Sequence, residues 1–133
     1  MANYKAKLTN FYKEIMENTE INKCGENYIF FSIDTNFKHI NYIINEKVFE
    51  SYIRKIESCF NKDIIELKEI IDILKEDIYK IYKTRVSEKR IPQIILNILV
   101  KTSVLYSDNG VDFEIKQYIS ITDIIKKINQ NIL

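Results

Sequence analysis

The chain has 133 residues, with 20 basic and 19 acidic side chains and a net charge of +1, so no broad field draws it to nucleic acid. That length makes one domain with room for a single core. Two glycines and one proline argue against a fold of many tight turns. Together with long stretches of periodic charged and apolar residues, they predict an all-α domain. Cys24 and Cys59 are too few for a disulfide framework and read as reduced, partly buried thiols of a cytosolic protein. Met1 to Glu20 lacks the apolar core of a secretory signal, and no stretch reads as a membrane span.

In chain order, the first helix is expected from Asn3 to Asn18, with Tyr4, Leu8, Phe11, Tyr12, Ile15 and Met16 on one side. Gly25 marks a break. A second helix is expected from Glu26 to Ile44, carrying Ile29, Phe30, Ile33, Phe37, Ile40, Ile43 and Ile44 at three- and four-residue steps. A third runs from Lys47 to Phe60 on an apolar face of Phe49, Tyr52, Ile53, Ile56 and Phe60. Asn61 to Asp63 reads as a cap before the most regular amphipathic stretch, Ile64 to Lys83, with the stripe Ile64, Leu67, Ile71, Leu74, Ile78 and Ile81.

The stretch from Arg90 to Tyr106 organises the rest. Apolar on nearly every side, with Lys101 its only charge after Arg90, it reads as a central helix about 25 Å long with other helices around it. Pro92 then falls in its first turn, where a missing N–H costs nothing. Ser107 to Gly110 is a turn. Val111 to Leu133 has the residue types of a strand in part. A lone strand would have no partner, however, and Ile121, Ile124, Ile125, Ile128 and Ile132 keep a helical rhythm, so it too is assigned as helix.

The chain offers little to an enzyme. His39 is the only histidine, neither glycine lies in a phosphate-cradling motif, and the acidic residues spread along outward helix faces. No catalytic residue, metal or cofactor is expected. The expected product is a surplus of amphipathic helical surface, the raw material of a groove for a partner helix.

Several local patterns resemble the poxviral Bcl-2-like apoptosis inhibitors, including the myxoma, deerpox, sheeppox and tanapox members. They are Glu20 to Cys24 after the first helix, Phe37 to Asn41, the spacing of Phe49, Tyr52 and Ile53, and Asp63 to Lys68, within a likeness that runs from Leu8 to Tyr106. Val86 to Arg90 is similar to a worn form of the Val-Asn-Trp-Gly-Arg motif that enters the family's central helix. Val86 and Arg90 match; Ser87, Glu88 and Lys89 do not, so an amide contact and a close backbone approach are missing.

The resemblance implies a Bcl-2-like bundle of about seven helices around a central hydrophobic helix. It also implies a groove that sequesters the Bcl-2 homology-3 helices of host pro-apoptotic proteins of the Bim, Bax and Bak type. The groove would be lined by Phe37, Ile40, Ile44, Phe49, Tyr52, Ile53, Ile56, Leu74, Ile78, Ile81, Ile91 and Ile94, with Arg90 pairing the ligand's Asp. The site of action would be the host cytoplasm at the mitochondrial outer membrane. Attachment there would come only through a C-terminal tail not present in this sequence, and a homodimer is compatible with the reading. Two alternatives use other surfaces: a Bcl-2-fold binder of signalling adaptors that blunts NF-κB activation, and a NusB-like RNA-binding factor.

Overall fold

The computed structural model describes residues 18–34, 39–117 and 120–129. The expected helix from Asn3 to Asn18 lies outside them except for its last residue, as does Phe37. Among the described residues the chain is mixed α/β, and the all-α bundle is overturned.

The largest correction falls on the expected second helix, which is a β-hairpin preceded by a further strand. Strands β1 (Thr19–Cys24), β2 (Tyr28–Asp34) and β3 (His39–Asn45) form an antiparallel sheet in the order β1-β2-β3. Gly25, at φ 73°, supplies the left-handed residue of the three-residue turn between β1 and β2. Ile29, Phe31 and Ile33 of β2 are fully buried on one face and register with Ile44, Tyr42 and Ile40 of β3. Their neighbours Tyr28 and Ile43 point the other way and are about half exposed. Residues this rich in β-branched and aromatic side chains suit a pleated, half-buried surface.

Asn45 then caps helix α1 (Glu46–Glu57), its side chain accepting from the Lys47 N–H at 2.9 Å. The face of α1 that packs inward is Phe49, Tyr52, Ile53 and Ile56, as its spacing predicts. Phe49 meets Phe31 of the sheet with ring centroids 5.7 Å apart. The next amphipathic stretch divides. Ile64–Glu66 is a short strand, β4, and only Leu67–Tyr82 is helix, α2. Lys83, in the left-handed region at φ 59°, ends α2 and returns its N–H to the Tyr79 carbonyl.

Helix α3 (Arg85–Lys101) is the organising element, shifted from its expected place. It begins at Thr84, whose hydroxyl accepts from the Ser87 N–H at 3.2 Å, and it stops before Thr102. Pro92 therefore sits in the helix interior, where it removes the bond that the Glu88 carbonyl would otherwise accept. From Ile91 to Leu99 every residue is buried. This helix lies along α2 and against β1, so the inner face of the first sheet closes onto it. Asn97, wholly buried, reaches across that contact and donates to the Thr19 hydroxyl at 3.1 Å.

After Ser103, at φ 66°, the chain forms strands β5 (Leu105–Tyr106) and β6 (Asp112–Ile115), which join β4 in a second antiparallel sheet of order β4-β6-β5. The strand that seemed to lack a partner thus has two. The turn at Ser107 to Gly110 is present and is tied by two side chains, the Ser107 hydroxyl accepting from the Gly110 N–H at 2.9 Å. The Asn109 amide oxygen accepts from the N–H groups of Val111 and Asp112, both at 2.9 Å. Helix α4 (Ile121–Asn129) packs against β1. No described helix is long and apolar enough to cross a membrane.

Candidate functional site

The expected groove residues are not groove lining in this fold. Ile44, Phe49, Tyr52, Ile53, Ile56, Leu74, Ile78, Ile91 and Ile94 are all 2% exposed or less, spread over β3, α1, α2 and α3 as the common core. Ile40 is half-buried on the inner side of β3. Arg90 is half-buried on α3 with no ion-pair partner among the described residues, and it lines neither of the clefts beside α2. Ile81 is different. At 52% exposed it stands at the end of α2 over open surface.

Around Ile81 the structure builds a cleft of about 360 Å³ between α1 and α2, lined by Lys47, Val48, Ser51, Tyr52, Asp77, Lys80 and Ile81. Helical spacing explains the set. Lys47, Val48, Ser51 and Tyr52 lie within a turn and a half of α1, and Asp77, Lys80 and Ile81 are one turn apart on α2. Tyr52 turns its ring into the core, and its hydroxyl is buried with no hydrogen-bond partner among the described residues. Burial, and secondarily the Asp77 carboxylate, push its pKa up to about 12, so it is a neutral phenol at physiological pH.

The charges of this cleft are unevenly matched. Lys55, beside it on α1, pairs its ammonium with the Asp77 carboxylate. Lys47 and Lys80 have no ion-pair partner among the described residues. The cleft therefore presents the aliphatic side chains of Val48 and Ile81, with Lys47, Asp77 and Lys80 around them.

Two other hollows differ in kind. One of about 550 Å³ adjoins the first across Lys80 and holds Lys75, Glu76, Tyr79, Arg85 and Glu88. Its charges are matched: Arg85 reaches Glu88 at 3.8 Å and lies 5.6 Å from the Tyr79 ring centre. The other, about 190 Å³ beside the second sheet, is acidic, with Asp108, Asp112 and Glu114. Among the described residues no group of three His, Cys, Asp or Glu is placed to hold a metal ion. His39 sits at the start of β3, its Nδ1 2.5 Å from the Asp34 carboxylate, with both side chains largely exposed.

Neither Lys47 nor Lys80 was a candidate from sequence, where each reads as a solvated charge on an amphipathic helix. The signal that finds them is tertiary: the packing of α1 on α2, which leaves them facing one hollow. No family model, no curated protein and no solved structure matches the chain.

Proposed function

We propose that this protein is a non-enzymatic binding module that takes an amphipathic helical segment of a partner protein into the cleft between α1 and α2. The observation that carries the reading is the cleft's composition: an apolar floor, a half-exposed Ile81 at its rim and a buried phenol without a partner. A half-exposed isoleucine beside a concave apolar floor suits anchoring side chains from a larger partner, the pattern of a hot spot within a wider contact. The volume is enough for an anchor or two, and the exposed Tyr79, in the hollow that adjoins the cleft across Lys80, extends apolar surface beyond it.

The bundle architecture that came with the poxviral resemblance is not part of this proposal. Capture of a helix requires only a concave apolar surface, and the Bcl-2 homology-3 helices of host pro-apoptotic proteins remain the named partners to try first. Inhibition of apoptosis at the mitochondrial outer membrane belongs to the proposal on the resemblance alone.

The test is calorimetric titration with peptides of about 25 residues from Bim, Bax and Bak, the length of a helix-in-groove ligand. The expected result is binding in the micromolar range or tighter by one of them, lost in Ile81→Asp, which changes an exposed side chain, and in Val48→Asp, whose thermal unfolding is followed because Val48 also packs against the core. Binding that survives both substitutions would place the partner elsewhere on the molecule.

A further inference from the structure

We infer that the open edge of β3 pairs antiparallel with β3 of a second copy of this chain, joining two three-stranded sheets into one continuous sheet. The backbone bonds show which groups are free to do so. The Glu46 N–H donates to the Asn27 carbonyl at 2.8 Å, one step beyond the Tyr28–Asn45 pair of the β2-β3 register. Antiparallel ladders alternate bonded and non-bonded pairs. Ile44, Tyr42 and Ile40 therefore turn their N–H and C=O groups toward β2, while Ile43, Asn41 and His39 turn theirs outward.

The Ile43 carbonyl bears this out, since it accepts from the Tyr82 hydroxyl of α2 at 2.9 Å. Tyr82 reaches it from the inner side of the sheet, where its ring meets the Tyr42 ring edge-on at 5.7 Å. A carbonyl has a second lone pair, so this bond leaves room for another. The outward N–H groups of His39, Asn41 and Ile43 have no backbone partner among the described residues.

Sheet edges are ordinarily guarded by charge, proline, short length or a covering element. At the other edge of this sheet, β1 has α4 packed against it. The second sheet ends in β4 and β5, of three and two residues. By contrast β3 has seven residues, and its sequence, His-Ile-Asn-Tyr-Ile-Ile-Asn, holds no Lys, Arg, Asp, Glu or Pro. On its outer face His39, Asn41 and Ile43 are all exposed.

An open edge accepts an extended strand, and the long open edge among the described strands is β3 itself. Its usable length runs from His39 to Ile43, because Asn45 is already the cap of α1. A two-fold axis at the middle residue sets Asn41 opposite the partner's Asn41, and His39 opposite the partner's Ile43. Three bonded pairs then give about six N–H···O=C bonds. On the inner face Ile40 falls opposite the partner's Tyr42. Both residue types are only half-buried in the single chain, and aromatic against β-branched is a favourable cross-strand pair. No like charges meet, and each contact recurs across the axis, as an isologous interface requires.

So short an edge buries less than a standard interface, so the dimer should dissociate at roughly tens of micromolar. Sedimentation velocity on the whole chain from about 2 to about 500 μM is expected to show a reversible monomer–dimer equilibrium. Over the same range, exchange of the Asn41 and Ile43 amide hydrogens should slow, while that of Tyr42 and Ile44, bonded within the chain, stays constant. Asn41→Lys and Asn41→Asp each set like charges face to face and should weaken the dimer about fivefold or more. An equimolar mixture of the two variants should regain the parent's affinity. Asn41 is exposed, and thermal unfolding checks that each variant keeps its fold. A chain that stays monomeric throughout would overturn the inference. A dimer indifferent to both substitutions, or one whose Asn41 and Ile43 amides exchange as in the monomer, would overturn it as well.

Discussion

The phenol of Tyr52 is the residue whose environment differs most from what helical spacing suggests. It has the position of an ordinary core aromatic, yet its hydroxyl is shut from water without a hydrogen-bond partner. An unpaired buried hydroxyl costs about 1–3 kcal/mol of desolvation, so Tyr52→Phe should leave stability unchanged or raise it by about 1 kcal/mol in urea unfolding. A loss of more than about 1 kcal/mol would mean that the hydroxyl has a bond in solution. The same group carries a pH signature. Its folded pKa, about 12, lies above the ordinary 10.0, so the folded state holds the proton longer than the unfolded state does. Stability from this group is whole below pH 10 and is lost as the pH rises from 10 through about 12, and Tyr52→Phe should flatten that part of the profile. Ile53, fully buried like most of the expected groove, gives a second check. As core, Ile53→Ala should cost about 2–5 kcal/mol of stability. As groove lining it would cost affinity with stability nearly kept.

At the scale of elements, the joint between α2 and α3 sets the position of both. Thr84 caps α3 while Lys83 ends α2 in the left-handed region. Thr84→Ala removes the cap and should cost about 1 kcal/mol. Lys83→Gly relieves a conformation that a side chain resists, and should stabilise by up to about 1 kcal/mol. Chemical unfolding of the two variants reads both signs. A helix start at Arg90 misplaces this boundary because Pro92 invites it there, whereas the capping threonine lies well before it. Where a stripe had a single period, the element was legible: Phe49, Tyr52, Ile53 and Ile56 admit a helix and little else, and α1 is there. From Tyr28 to Ile44 apolar residues satisfy both periods, since Ile29, Phe31 and Ile33 alternate while Ile29, Ile33, Ile40 and Ile44 also fall at multiples close to a helical turn. Their β-branched and aromatic character, not their spacing, separates the two.

For the whole molecule, the scarcity of glycine and proline misdirects the fold class. The chain makes its left-handed turns with Lys83 and Ser103 as well as with Gly25 and Gly110, so few glycines did not mean few turns. The centrality of the Ile91 to Leu99 run was legible, because a helix apolar on all sides has nowhere to go but the interior. The cleft was not. Its lining comes from two successive helices, and only the packing of α1 on α2 turns two solvated surfaces into one hollow. That hollow carries the functional account, and an amide-resolved NMR titration with the Bim, Bax and Bak peptides tests it most directly. The account predicts shifts concentrated at Lys47 to Tyr52 and Asp77 to Tyr82, with the β4-β6-β5 sheet unmoved. Shifts centred on that sheet, or none at saturating peptide, would contradict it.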